Sequence, residues 1–187
     1  MAVLGGGVAV QADNGGNQLA AYYAMIGDTQ GVTAPDSSVL LHSGYDKDPG
    51  WAGKAVQDVD REYVIVPVEN ENNVALVRFY DVTALNDIQH VGSATLSKKP
   101  NRLAVDTSGS NDYYVFAAAG SGDGATVYVI DMWSKSSPVV RTTQNISGFD
   151  SAHAIVANGN YLYVVVDDPT SGTNDKPTVK VFEIVKN

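Results

Sequence analysis

Aspartate is the residue type with the clearest chemical potential in this chain, and calcium is the ion that its spacing suggests. "YDKDPG" places Asp46 and Asp48 in one turn, and "DDPTSGTNDKP" places Asp167, Asp168 and Asp175 in one long loop. Ca²⁺ prefers hard oxygen ligands on flexible loops. Neither segment has the EF-hand spacing with its final Glu, and aspartate is also a common turn-capping residue. These five residues are therefore candidate calcium ligands, with turn capping as the favoured interpretation.

The other reactive residue types do not form a recognisable catalytic group. The chain has no cysteine, so thiolate ligands and a cysteine nucleophile are excluded. His42, His90 and His153 lack the close spacing of a zinc site. "GSGDG" is followed by the strand-like "ATVYVID" and not by a helix, so it predicts a hairpin loop and not a phosphate-binding loop. The sequence favours a non-catalytic protein, with a calcium-dependent ligand-binding or hydrolytic protein as the alternative.

Composition limits the class of partner and suggests a location. The 187 residues carry a net charge of -9, and 17 of the 21 acids are Asp, which favours turns over helices. So acidic a surface repels phosphate backbones, so nucleic acid is not an expected partner. No run is long enough to span a bilayer, and "MAVLGGGVAVQA" does not have the pattern of an intact signal peptide. Abundant Asn, Ser, Thr, Gly and Tyr resemble an extracellular or cell-surface β-protein, and Asn145-Ile146-Ser147 is a candidate glycosylation sequon.

The candidate residues lie in or next to strand-like segments that recur along the chain. "YVIVPV", "YYVFAAA" and "YLYVVV" begin at Tyr63, Tyr113 and Tyr161, with spacings of 50 and 48 residues. Each is followed by a second, alternating run that ends in an acid, at Asp81, Asp131 or Glu183. Apolar β-branched runs of this length predict buried strands, and alternation predicts half-buried ones. The recurring acids are expected to accept backbone amides in the following turn.

The flanking runs complete a repeating unit of four strands. Shorter runs precede each tyrosine, and a fourth run follows in two copies, as "HVGSATL" and "VVRTTQN". The predicted units of a single all-β domain over 1–187 are approximately 5–50, 51–97, 98–147 and 148–187, a spacing typical of propeller blades. The first unit is the weakest, and its "QLAAYYAMI" fits a strand or a short helix. Pro67 interrupts the pattern inside a predicted strand.

Two of these phrases are similar to a known type of repeat. "NRLAVDTSGSNDYYVFAAAGSGDGATVYVIDMWSKSSPVV" and the segment from "AHAIVANGNYLYVVVDD" to "TVKVFEIV" resemble β-propeller repeats of the LVIVD and YVTN types. The resemblance covers residues 51–187 better than residues 5–50. It implies propeller blades and a cell-surface protein, and it specifies fold and not chemistry. Family members typically have seven blades, whereas this chain has three to four units.

The last unit ends after its third strand, which leaves a sheet edge to be covered. An open edge presents unpaired backbone groups to other chains. The expected donors are the chain's own "MAVLGGG", the N-terminus of a neighbouring copy, or another part of a larger assembly. The sequence therefore predicts an exported or surface-associated structural or interaction protein that associates with copies of itself or with another protein chain. A two-sheet β-sandwich is the alternative fold.

Overall fold

The chain folds into antiparallel β-sheets. The computed structural model describes residues 2–4, 8–12, 19–23, 51–52, 56–58, 62–70, 72–81, 83, 89–106, 113–167 and 177–185. Fifteen strands and no helix are found in these ranges, so the all-β prediction is confirmed. Within the same ranges there is no helix with the length and hydropathy needed to cross a membrane.

The strands group into four sheets, which we number in chain order. Sheet I contains β1 (Ala2–Leu4), β2 (Val8–Ala12) and β3 (Leu19–Tyr23). Sheet II contains β4 (Trp51–Ala52), β5 (Val56–Gln57), β6 (Tyr63–Glu69), β7 (Ala75–Asp81) and β8 (Gln89–Leu96). Sheet III contains β9 (Pro100–Val105), β10 (Tyr114–Ala119), β11 (Thr126–Asp131) and β12 (Val139–Asn145). Sheet IV contains β13 (Ala152–Asn158), β14 (Tyr161–Asp167) and β15 (Pro177–Glu183).

In each of sheets II, III and IV, a tyrosine at the start of one predicted strand lies opposite the acid at the end of the next. The paired residues are Tyr63 and Asp81 in sheet II, Tyr114 and Asp131 in sheet III, and Tyr161 and Glu183 in sheet IV. In sheet III the paired residue is one position later than Tyr113, which the sequence alignment had chosen. The ambiguous "QLAAYYAMI" contains a strand over Leu19–Tyr23, and Ala2–Leu4 pairs with Val8–Ala12.

Pro67 does not end the strand that the sequence predicted around it. It continues β6 and lies opposite Val77 of β7. On the other side of β6, β4 pairs with Val68 and Glu69, while β5 pairs with Val64 and Ile65. Proline has no amide hydrogen to donate to a ladder, and β6 accommodates it within its described length.

Sheets II and III pack face to face through one apolar cluster. Ile65 and Phe79 of sheet II and Val115 and Ile130 of sheet III are fully buried within it. Burying a side chain of this size contributes about 1.5–3 kcal/mol to folding. The outer strand β8 adds Ala94 and Leu96 to the same cluster.

Sheets III and IV pack together through a second cluster, which includes Phe116 and Val127 of sheet III with Leu162 and Val164 of sheet IV. Successive side chains of a strand point to opposite faces, so β10 sends alternate residues into each cluster. This explains why "YVFAAA" is apolar without alternation. Sheet III is covered on both faces, which a two-sheet sandwich would not provide.

The neighbouring sheets contact each other through equivalent strands. β9 contacts both β5 and β13, and β8 contacts β12. In the described part of the chain, sheets II, III and IV follow one another in a stack and do not close into a ring.

Candidate interaction surface

The candidate calcium ligands are only partly within the described residues. Asp167 ends β14, and its Oδ2 is hydrogen-bonded to Nε2 of His153 on β13. Asp46, Asp48, Asp168 and Asp175 lie outside the described residues. Among the residues that are described, no three His, Asp or Glu side chains group as metal ligands would. The calcium site therefore stays a prediction.

The glycine cluster is a hairpin loop, as the sequence predicted. Residues 120–125 connect the antiparallel strands β10 and β11, and Gly120, Gly122 and Gly124 have positive φ angles. Lys98 Nζ donates to the carbonyl oxygens of Asp123 and Gly124, at 2.5 and 2.8 Å. The carbonyl groups of the loop thus accept hydrogen bonds from the ammonium group of Lys98.

Two of the recurring acids accept hydrogen bonds from backbone amides in the turns that follow them. Asp81 Oδ1 accepts the Thr83 amide at 2.9 Å, and Asp131 Oδ1 accepts the Trp133 amide at 2.8 Å. Arg141 Nε and Nη2 both donate to Asp131 Oδ2, at 2.9 and 2.8 Å. Burial acts to raise the pKa of Asp131, but the hydrogen bonds from the Trp133 amide and from Arg141 outweigh it and lower that pKa. The turn-capping prediction is confirmed for these two acids.

His90 lies in β8 and is partly buried. Its Nε2 is 2.8 Å from Ser93 Oγ, and its ring lies 5.5 Å from that of Tyr80. Burial is the main cause that lowers the pKa of His90, and the positive charge of Arg78 adds to the effect. His42 lies outside the described residues. His90 and His153 lie on different sheets, each with its own partner.

An aromatic cluster joins sheets II and III at one end. Trp133 is 69% exposed, and its ring packs edge-on against Tyr113 with centroids 4.2 Å apart. Lys135 Nζ lies 5.1 Å from the Tyr63 ring and 5.4 Å from the Tyr113 ring. Trp133 thus contacts the tyrosine that precedes β10, while Lys135 spans the two sheets through cation–π contacts.

The candidate glycosylation residue is accessible. Asn145 is exposed at the end of β12, and its Oδ1 accepts a hydrogen bond from Thr126 Oγ1 at 3.1 Å. Ile146 is buried beneath it, and Ser147 is exposed in the following turn. Glycosylation of this residue remains a prediction.

Two buried acids and one glycine were missed by the sequence analysis. Asp58 and Asp106 directly follow the strands β5 and β9, and both are buried. Asp58 Oδ1 accepts the amides of Glu62 and Tyr63, each at 3.0 Å. The signal was present as "VQD" before the segment that begins at Tyr63 and as "AVD" before the one that begins at Tyr113. Gly92 in β8 was also overlooked, although a glycine inside a strand often marks a close backbone approach.

Sheet IV presents an uncovered apolar face. Five apolar side chains of this face are between 37% and 58% exposed, and we call them the open face: Val156, Tyr161, Tyr163, Val179 and Val181. In sheet II, by contrast, Val64 and Val66 on the face away from sheet III are also fully buried. Contiguous exposed apolar residues commonly mark a surface for interaction with another protein.

Sheet IV also has an open edge beside a cleft. β15 pairs with β14 and is the last strand in the order β13-β14-β15. A cleft of about 530 Å³ lies between this edge and sheet III. Val129 and Thr142 of sheet III line one side of it, and Phe182 and Ile184 line the other.

Comparison with known proteins does not assign the chain to a family. No protein-family model matches it, and no curated protein matches it either.

Proposed function

We propose that this protein is a non-catalytic structural or interaction protein that self-assembles through sheet IV. The observation that carries the proposal is the open face: Val156, Tyr163 and Val181 form one cross-strand row of exposed apolar side chains. Burying such a row in an interface removes apolar surface from water, which is the main driving force of protein association. The extracellular or cell-surface location and the blade-like character of the units belong to the same proposal.

The packing of the sheets supports a propeller-like arrangement. Sheets II, III and IV are antiparallel and consecutive, and β9 contacts both β5 and β13. Neighbouring propeller blades also pack face to face in chain order. In such an arrangement the face of the last sheet is where the next sheet would pack, so the open face is the natural position for a second copy.

The test compares two exposed valines in solution. Val181→Lys places a charge on the open face, and Val139→Lys places the same charge on β12, where Val139 is also exposed. Light scattering after size exclusion should give a mass above that of the monomer for the wild type and for Val139→Lys, and a monomer for Val181→Lys. A wild type that is monomeric at every concentration would contradict the proposal.

A further inference from the structure

We infer that the turn between β13 and β14 is a site of spontaneous covalent modification, at which the side-chain amide of Asn158 is converted to a carboxylate. Asn158 is the last residue of β13, and it pairs with Tyr161 at the start of β14. The turn between them consists of Gly159 and Asn160. The reaction requires only Asn158, Gly159 and water, so it is independent of the proposed self-assembly.

Gly159 has the backbone conformation that this turn requires. Its φ angle is 56°, and Asn73 is the one non-glycine residue with a positive φ in the described part of the chain, so Asn160 has a negative φ. This is the pattern of a type II′ turn, which has glycine at its first position. Glycine has no Cβ, and a Cβ built at Gly159 would meet no atom within 4 Å. The backbone next to Asn158 is therefore uncrowded.

The two reacting groups are not held by hydrogen bonds to other described residues. Asn158 is exposed, and neither its side-chain amide nor the backbone N–H of Gly159 has a hydrogen-bond partner within the described ranges. Asn101 is a contrast, because its Nδ2 donates to the carbonyl oxygens of Gly120 and Ala152, at 2.7 and 2.8 Å. The side chain of Asn158 is thus able to rotate toward the nitrogen of Gly159, whereas that of Asn101 is restrained.

The conversion begins with attack of the Gly159 backbone nitrogen on Cγ of Asn158. Hydroxide takes the proton of the backbone N–H, a bond forms between the nitrogen and Cγ, and the side-chain nitrogen takes up a proton from water and leaves as ammonia. Water then opens the resulting cyclic imide at one of its carbonyl carbons. Opening at Cγ gives aspartate, and opening at the backbone carbonyl gives isoaspartate, in which the main chain runs through Cγ. Neither step involves an oxidant or a reductant.

Both products change the end of sheet IV at which the turn lies. Each adds a negative charge to the cross-strand row of Asn158, Tyr161 and Glu183, in which Glu183 is already acidic. Isoaspartate also lengthens the main chain next to the turn, and the length of a turn fixes the register of its hairpin. The Ile184 amide donates to the carbonyl oxygen of Asn160 at 2.7 Å. A displaced turn therefore also disturbs the chain that follows β15.

Incubation of the folded protein at physiological temperature, followed by peptide mapping with mass spectrometry, tests this site. Asn158 should be converted several-fold faster than Asn160, which is exposed in the same turn but precedes Tyr161. The rate at Asn158 should rise with pH, because the attacking nitrogen must lose its proton. Gly159→Ala should slow the conversion several-fold, because the added methyl group crowds that nitrogen. Circular dichroism checks that the variant retains its β-structure.

The same incubation in urea gives the rate for an unfolded chain, in which Asn14 and Asn158 both precede glycine and both should be converted. Asn158 that stays intact in the folded protein, over a period in which the unfolded chain is converted, would overturn the inference. Equal rates at Asn158 and Asn160 in the folded wild type would overturn it too, and this comparison does not depend on the folding of any variant.

Discussion

Tyr163 of β14 lies directly opposite Val181 of β15, and the two side chains are 37% and 56% exposed on the same face of sheet IV. Leu162, one residue earlier, points the other way into the core with sheet III. The same pair of strands therefore separates two roles by the alternation of a β-strand. One face packs in the core, and the other is exposed.

Substitutions on the two faces should separate stability from association. Val181→Lys is expected to change the free energy of unfolding by less than about 0.5 kcal/mol, because the side chain is already exposed. Leu162→Ala should lower it by about 2–5 kcal/mol, because a buried side chain is lost. Urea unfolding at a concentration that keeps the chain monomeric provides the measurement. Similar losses for both variants would show that the open face is part of the folded core.

Gly92 should not tolerate a side chain. A Cβ at this position would lie 2.2 Å from the carbonyl oxygen of Lys135, in the turn between β11 and β12. Gly92→Ala must separate that turn from sheet II and should lower the free energy of unfolding by about 1–3 kcal/mol.

Gly148 is a control that separates the cost of a steric clash from the cost of backbone strain. It has a positive φ of 83°, and a Cβ there would meet no atom within 4 Å. Gly148→Ala should cost about 1–2 kcal/mol from backbone strain alone. Mutating Lys135 to alanine should not rescue Gly92→Ala, because the clashing atom belongs to the backbone. A Gly92→Ala protein as stable as the wild type would contradict the close packing of the two sheets.

Asp131 should contribute stability that depends on pH. Its pKa is lowered in the folded chain, so the folded state favours the ionised carboxylate. This contribution is present above the ordinary pKa of about 3.8 and is lost as the pH falls through the lower folded value. Asp131→Asn should therefore be less stable than the wild type at neutral pH, and the difference should shrink below about pH 3.8. Chemical unfolding at a series of pH values measures this, and a constant difference would contradict it.

His90 should act in a different pH window. Its pKa is lowered from the ordinary value of about 6.5, so below that pH the unfolded chain binds more protons than the folded chain. Stability should fall as the pH drops from neutral through about 6.5 toward the folded value. His90→Gln should reduce that slope while retaining a polar group near Ser93. An unchanged slope between the two proteins would show that His90 is equally protonated in both states.

Asn145 should accept a glycan when the protein is secreted by a eukaryotic cell. The side chain is exposed, and the hydroxyl-bearing Ser147 is exposed two residues later. Mass spectrometry should show a glycan that both Asn145→Gln and Ser147→Ala remove, with Ser137→Ala as an unaffected control. Secreted wild-type protein without any added mass would contradict the prediction.

Much of the strand pattern could be predicted from sequence because alternation and β-branched runs report burial directly. "VVRTTQN" predicted an outer strand and is the exposed β12, while "YYVFAAA" predicted a buried strand and contains β10. The one-residue offset from Tyr113 to Tyr114 was not predictable, because two adjacent tyrosines fit the pattern equally well. Register depends on pairing with β11, which lies farther along the chain.

The open face of sheet IV was harder to predict, because a sequence does not show which face of a sheet is left without a neighbouring sheet. The valines of "TVKVF" have the composition of a core strand, and only the structure shows that Val179 and Val181 face outward. The sequence did predict three strands in the last unit, and β13, β14 and β15 form one sheet. The sequence directed attention to the loop acids, whereas the described Asp167 is hydrogen-bonded to His153.

Hydrogen–deuterium exchange at low and high protein concentration tests most directly whether sheet IV is the association surface. The account predicts that amides of β15 (Pro177–Glu183) become more protected as the concentration rises, while those of β12 (Val139–Asn145) stay unchanged. Exchange in β15 that does not change with concentration, or added protection confined to β12, would contradict it.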